Sequence, residues 1–417
     1  MGQTFTQKIL ARGAGKKTVA VSEIVDVTPD VVLSHDNTSA IAATFKKIGV
    51  EKVDKPSRHV IVLDHCVPAA SEKYAQNHKD VREFVAAQGI KNFYDVNHGV
   101  CHQVLPEHGH ALPGQLIVGS DSHTTTYGAL GAFAAGIGRS ETAVIMATGR
   151  IWLRVPETMR VVVSGKFPRA VYAKDFILKL IGDLGADGGL YQAVEFTGPA
   201  ISSMDVDDRM TLCNMTAEMG AKNGYIEADE QTAAWLKRHG VTSFERVGSD
   251  PDAEIARTLQ YDVSALEPQV AAPHTVDNVH PVSQHAGTKL NQALLGTCTN
   301  GRLRDLQQAA DIVRGKKVHP SVRMLVFPAS VDVYRAAMAD GTLMTLSEAG
   351  AILMNPGCGP CLGAHEGILA PGEVCISTAN RNFRGRMGSR DASVFLGSPA
   401  TVAASALAGE ITDPRTM

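Results

Sequence analysis

The run QLIVGSDSHT, residues 115 to 124, sets Leu116, Ile117 and Val118 against an abrupt change to Asp121, Ser122 and His123. A short apolar run with no alternation reads as a strand buried on both faces, and the polar change marks its end. The pattern returns four times along the chain. HVIVLDHC (59 to 66) ends at Asp64 and His65, NQALLGTCTN (291 to 300) at Cys298, AILMNPGCGPC (351 to 361) at Cys358 and Cys361, and EVCISTANRNF (373 to 383) at Asn380 and Arg381. Helical patterns such as SAIAATFKKIG (39 to 49) and RDLQQAADIVRG (304 to 315) separate the runs. Buried strands alternating with helices predict an α/β protein with mainly parallel sheets. Ligands in such sheets collect at the carboxyl ends of the strands, so five polar clusters at five such ends point to one shared site.

Length and composition set the frame around that site. A chain of 417 residues exceeds one compact core, and 44% apolar with 20% charged residues is ordinary soluble usage. Pro- and His-rich residues 265–287 read as a linker, and Pro156 precedes the fresh strand TMRVVVSG. These breaks predict three α/β domains over 1–155, 156–275 and 286–417. The formal charge of −3 offers no general attraction to nucleic acid or an anionic membrane. No apolar run reaches the roughly 18 to 20 residues a membrane span needs. Seven cysteines with one close pair suit a reducing compartment, so a cytoplasmic protein acting on small molecules is expected.

The close pair, Cys358-Gly-Pro-Cys361, supports a redox dithiol, half of a zinc site, or part of an iron–sulfur ligand set. Gly357 and Pro360 make the helix N-terminus of a redox dithiol awkward, and no second Cys-x-x-Cys completes a zinc site. Cys298, between Gly296 and Gly301, is the best third thiol. On the iron–sulfur reading, the glycines let backbone approach an inorganic cluster and Pro360 stiffens the turn between ligands. Cys66, Cys101, Cys213 and Cys375 sit in apolar contexts and read as buried fillers. His98, His102, His108 and His110 form a further possible zinc set, and YGALGAFAAGIG (127 to 138) lacks the third glycine of a dinucleotide loop.

GTCTNGR (296 to 302) followed far downstream by PGCGPCLG (356 to 363) resembles the ligand motifs of the aconitase-like iron–sulfur hydro-lyases. Within that family the chain is most similar to the 3-isopropylmalate dehydratase and homoaconitase large subunits. LDHCV, HQVLPE, GSDSHTTTYGALGAFAAGIGRSE, LCNMTAEMGA, NRNFRGR and, more weakly, SHDNTSA also resemble family segments. The resemblance implies a three-domain fold around a [4Fe-4S] cluster, one per subunit, held by Cys298, Cys358 and Cys361 with one iron free of Cys. It implies catalytic roles for Asp64, His65, His102, Asp121, His123 and Glu218. It implies substrate contacts from His35, Ser122, Asn214, Asn380, Arg381 and Arg386.

The activity so implied is isomerisation of a small hydroxy di- or tricarboxylic acid by dehydration and rehydration. 3-Isopropylmalate, in leucine biosynthesis, is the expected substrate; homoaconitate, citraconate-type acids and 2,3-dimethylmalate are the alternatives. Such chemistry asks for a Lewis acid and a proton donor at the leaving hydroxyl, and for Arg forks on the carboxylate where charge builds. Single-chain relatives carry a fourth, swivelling domain whose serine is the base. Its absence here predicts a separate small subunit, in a heterodimer or higher assembly, and an inactive isolated chain. Binding of RNA by the cluster-free protein is a remote alternative that the near-neutral charge disfavours.

Overall fold

A computed structural model describes residues 2–417. Residues 24–154 carry β1 (Ile24–Val27), β2 (Val31–Ser34), β3 (His59–Val62), β4 (Asn92–Tyr94), β5 (Leu116–Gly119), β6 (Phe133–Gly136) and β7 (Ile151–Arg154). Strands β2 to β6 form a parallel sheet in the order β4-β3-β2-β5-β6, while β1 and β7 pair as a separate antiparallel ribbon. Every residue of β2, β3 and β5 is buried, which is why these runs show no polar alternation. The crossovers are the helices Thr38–Ile48 and Glu72–Gln88, each ended by a left-handed glycine.

Residues 158–262 carry β8 (Thr158–Ser164), β9 (Ala193–Thr197), β10 (Asn223–Tyr225) and β11 (Arg257–Asp262), all parallel in the order β10-β9-β8-β11. The last sheet takes β12 (Gln269–Ala271), β13 (Val279–Pro281), β14 (Gln292–Gly296), β15 (Arg323–Phe327), β16 (Ile352–Leu353), β17 (Val374–Ser377) and β18 (Ser393–Leu396). Its order is β13-β12-β18-β17-β14-β15-β16, parallel from β18 to β16 and antiparallel at β12. The segment expected to be a linker therefore forms sheet edge. Two three-residue strands are too short to show a period, and Pro273 and Pro281 mask them further. The change from the second sheet to the third falls between Asp262 and Gln269, ahead of the boundary expected at 275–286.

One core runs through all three sheets: Leu33, Met159 and Leu294 belong to a single buried cluster. The glycine-rich stretch after β5 is a run of 3-10 turns, Ser122–Leu130, feeding β6. There a Cβ at Gly128 would collide with the carbonyl oxygen of Gly224, so the stretch serves close packing against the second sheet. No helix among the described residues is long and apolar enough to cross a membrane.

Candidate active site

The carboxyl ends of β3, β5, β14 and β17 and the loop after β16 open onto one cavity of about 120 Å³. Its walls hold His65, His102, Asp121 and His123 from the first sheet, and Cys298, Cys358, Cys361, Asn380, Arg381 and Arg386 from the third. Residues up to 321 positions apart meet because each sheet delivers its strand ends to the same side (386 − 65 = 321).

The first-sheet side consists of three imidazole–carboxylate pairs. His65 donates from Nδ1 to Asp64 Oδ1 at 2.5 Å, His102 donates from Nε2 to Asp121 Oδ1 at 2.7 Å, and His123 donates from Nε2 to Glu218 Oε1 at 2.7 Å. Asp121 is the hub, since its Oδ1 also accepts the His123 backbone N–H at 2.8 Å and its Oδ2 lies 3.5 Å from His65 Nε2. Burial would raise its pKa, but the hydrogen bonds from His102, His123 and His65 hold it well below the usual carboxylate range. Glu218 is held down similarly: burial opposes ionisation, but the His123 hydrogen bond and the Arg381 charge prevail.

His35 stacks on His65 with ring centroids 3.9 Å apart, yet the two rings are driven in opposite directions. Burial and the neighbouring His65 charge push His35 down to about 4, so it is neutral at pH 7. Burial also disfavours charged His65, but the Asp64 carboxylate and the hydrogen bonds to Asp121 and Asp64 raise its pKa well above the ordinary value. Of the two stacked rings, His65 is therefore the one that carries the proton at pH 7.

The third-sheet side is built from tight turns. After β14 the chain enters the left-handed region at Thr297, with φ 67, and starts a one-turn helix, Thr297–Asn300, that points Cys298 into the cavity. Strained backbone of this kind, at a β-branched residue, is typical of a site that needs one exact direction. Cys298 Sγ accepts amide hydrogens from Asn380 at 3.4 Å and Asn214 at 3.5 Å. Arg386 Nη2 donates to Cys361 Sγ at 3.8 Å, and its buried Nε has no partner. Burial and the Cys361 thiol push Cys298 up to about 11, and burial and the Asp64 carboxylate push Cys358 well above the ordinary thiol range.

Gly359 in Cys358-Gly-Pro-Cys361 also meets a packing need within the protein. A Cβ on Gly359, at φ 54, would lie 2.6 Å from two ring carbons of Phe327, so the loop is pressed against protein. Pro360 opens the 3-10 turn Gly359–Leu362, as its fixed φ favours. Asn214 and Glu218, four residues apart, do not share one helix. The α-helix Val206–Met215 gives way to a 3-10 turn, Thr216–Met219, yet both side chains still face the site and both are buried, not solvated.

Of the arginine run, Arg381 and Arg386 line the cavity while Arg384 and Arg390 are exposed. Arg381 ties the two sides together, donating from Nε to Glu218 at 2.9 Å and from Nη2 to Ser122 Oγ at 2.9 Å. The four histidines read as a possible zinc set separate: His102 turns into the site, while His98, His108 and His110 gather around Tyr94.

Three buried residues escaped notice in the sequence. Asp36 accepts from the backbone of residues 64 to 66. Arg302 donates to the carbonyls of Cys298 and Thr299 at 2.9 and 2.7 Å, capping the Cys298 turn. Lys174 donates to the carbonyls of Thr378 and Ala379, both at 2.8 Å, just before Asn380. Asp36 and Arg302 lie inside quoted motifs, SHDNTSA and GTCTNGR; a buried Lys174 has no sequence signal, because nothing local distinguishes it from a solvated lysine.

Buried thiols with N–H donors aimed at two of them, and an unpartnered guanidinium nitrogen beside a third-sheet loop, fit an anionic sulfur-rich group. Among the described residues the compact sets with all ligand atoms within 4.8 Å are His35-Asp36-Asp64-His65 and His102-Asp121-His123. The three cysteines are not such a set, whereas one zinc ion would draw its thiolates to roughly 4 Å of each other.

The sequence model of the aconitase family (aconitate hydratase) matches residues 7–409. The 3-isopropylmalate dehydratase large subunit 1 of Methanopyrus kandleri is 53% identical over 416 residues, covering 100% of this chain and 99% of its own. The probable methanogen homoaconitase large subunit of Methanosarcina mazei is 54% identical over 387 residues, covering 93% of this chain and 98% of its own. The 3-isopropylmalate dehydratase large subunit of Aquifex aeolicus is 47% identical over 420 residues, covering 99% and 97%. The match takes in every residue that lines the cavity, and the chain belongs to the aconitase family.

Proposed function

We propose that this chain is the large subunit of a cytoplasmic hydro-lyase that interconverts two isomers of a small hydroxy acid by removing and re-adding water, with 3-isopropylmalate as substrate. The observation that carries the reading is the meeting, in one cavity, of three thiols, three imidazole–carboxylate pairs and two arginines. Homoaconitate is the second reading, favoured by a homoaconitase large subunit as similar as the isopropylmalate ones.

Cys298, Cys358 and Cys361 would hold a [4Fe-4S] cluster, their side chains being free and buried around the cavity. When bound, a cluster with only three cysteine ligands supplies Lewis acidity at the hydroxyl that leaves. Asn214 and Asn380 steady the Cys298 sulfur through N–H donors, which favours the thiolate over the thiol.

His65 delivers the proton that lets hydroxide depart as water. Asp64 fixes the ring's orientation through Nδ1–H, which leaves Nε2–H facing the cavity beside Asp121. His102 and His123 hold Asp121 ionised and in place, so the proton on His65 is not surrendered to solvent at neutral pH.

Removing a proton next to a carboxylate spreads negative charge onto that carboxylate. Arg386, with a free buried Nε, and Arg381, held flat by Glu218 and Ser122, are placed to take it in bidentate fashion. His35, neutral and stacked, excludes water from the far face of His65. The abstracting base and a further carboxylate clamp come from a separate small subunit; the term large subunit in the relatives' names supports that division. Anaerobic co-expression with a small subunit, followed by the rise of alkene absorbance on 3-isopropylmalate and its fall on homoaconitate, tests the reading. Turnover of neither acid would defeat it, and turnover of homoaconitate alone would select the second reading.

A further inference from the structure

Asp36 follows His35 just beyond the end of β2, is 8% exposed, and has no part in the mechanism above. Its Oδ2 accepts the backbone N–H groups of Asp64 and His65, both at 2.9 Å. Its Oδ1 accepts the N–H of Cys66 at 3.2 Å and the Nε2–H of His78, on the helix Glu72–Gln88, at 2.9 Å. Three successive backbone N–H groups around one anion form a nest, and here the anion is a side chain from the neighbouring parallel strand.

Two of these three residues, Asp64 and His65, carry the chemistry. Residue 65 presents the imidazole, residue 64 presents the carboxylate that orients it, and the Asp64 carbonyl accepts the Cys358 N–H at 3.0 Å. Displacing the 64–66 turn would therefore move the proton donor and strain its one backbone tie to the Cys358 loop. We propose that Asp36, backed by His78, is a positioning residue that sets the angle of His65 and its distance from the Cys358 loop. The inference rests on the hydro-lyase reading for its kinetic arm only.

Asparagine at this position is isosteric but presents an NH₂ where one oxygen stood, so at least one pair of N–H donors loses its acceptor. The consequence is a turn that still forms but is no longer pinned, and misplacement by an ångström is costly in catalysis.

The test uses the holo-complex with the small subunit and compares Asp36→Asn, His78→Gln and His78→Leu with wild type. Asp36→Asn is expected to lower kcat per intact cluster about 10- to 100-fold while KM stays within about twofold. His78→Gln, whose amide donates to the same oxygen, should stay near wild type, and His78→Leu should fall toward Asp36→Asn. Independently of activity, amide exchange over residues 63–67 should speed up by about tenfold or more in Asp36→Asn, with the other strand ends unchanged.

Unchanged exchange over 63–67 would overturn the proposal, as would a kcat loss that vanishes once folded protein, iron and sulfide are counted. If Asp36→Asn fails to assemble, the His78 pair decides, and wild-type kcat in His78→Leu overturns it. If wild type turns over no hydroxy acid, the hydro-lyase reading fails and the exchange arm still judges Asp36.

Discussion

The strand ends of the first sheet and those of the third face each other across one cavity, yet they are finished to different degrees. On the first-sheet side the carboxylates of Asp36, Asp64 and Asp121 each accept hydrogen bonds from imidazole or backbone donors. On the third-sheet side the thiols meet amide and guanidinium donors at 3.4 to 3.8 Å, and Thr297 Oγ1 and Arg386 Nε are buried without partners. Buried polar groups are normally satisfied; on the first-sheet side His35 Nδ1 is also without a partner, so the two sides differ in degree. The acid–base half is prebuilt by the protein; on the function proposed above, the sulfur half is a socket.

That contrast can be broken most severely at the socket. Cys298→Ser should abolish turnover together with bound iron and sulfide, while the melting temperature of the cluster-free protein stays close to wild type, as metal analysis and calorimetry would show. The prebuilt side should respond differently. His65→Asn should keep full iron and sulfide but lose about 10²- to 10⁴-fold in kcat, the usual worth of a positioned proton donor. Loss of iron in that variant would mean the two sides are not separable.

A smaller effect sharpens the boundary between the sides. Arg386→Lys keeps the charge but gives up the planar fork, so kcat/KM should fall about 10- to 100-fold, equivalent to the ~1.5 to 3 kcal/mol of a hydrogen bond to a charged group. Steady-state kinetics at fixed cluster content measures it.

The smallest expected effect lies at the root of β3, away from the cavity. Burial pushes His59 down to about 4, against an ordinary 6.5 in the unfolded chain. Between those values the unfolded chain binds a proton that the folded one refuses, so stability rises with pH through that window and is lost as acid is added. His59→Gln removes this dependence. Its melting temperature should fall less than that of wild type between pH 6.5 and pH 4.5, and equal slopes would contradict the assignment.

Much of the prebuilt side was legible in the sequence, for a physical reason. Fully buried parallel strands leave unbroken apolar runs, and the polar residues that follow them meet at the cavity, so Asp64, His65 and Asp121, with Cys298 on the opposite side, could be found by where the runs stop. Spacing gave Cys358 and Cys361 the same visibility. What stayed hidden acts across the chain: Asp36 serves a turn 28 residues away, and Lys174 caps carbonyls 204 residues away. The edge strands β12 and β13 were hidden by brevity, and the role of Gly359 by its partner, since nothing near it announces the Phe327 ring.

Metal and sulfide analysis with electron paramagnetic resonance, on anaerobically purified wild type, tests the central claim that this cavity is a socket for an iron–sulfur cluster. About four irons and four acid-labile sulfides per chain, lost together in Cys298→Ser, is the result expected. A colourless protein holding one tightly bound zinc and no sulfide would contradict it.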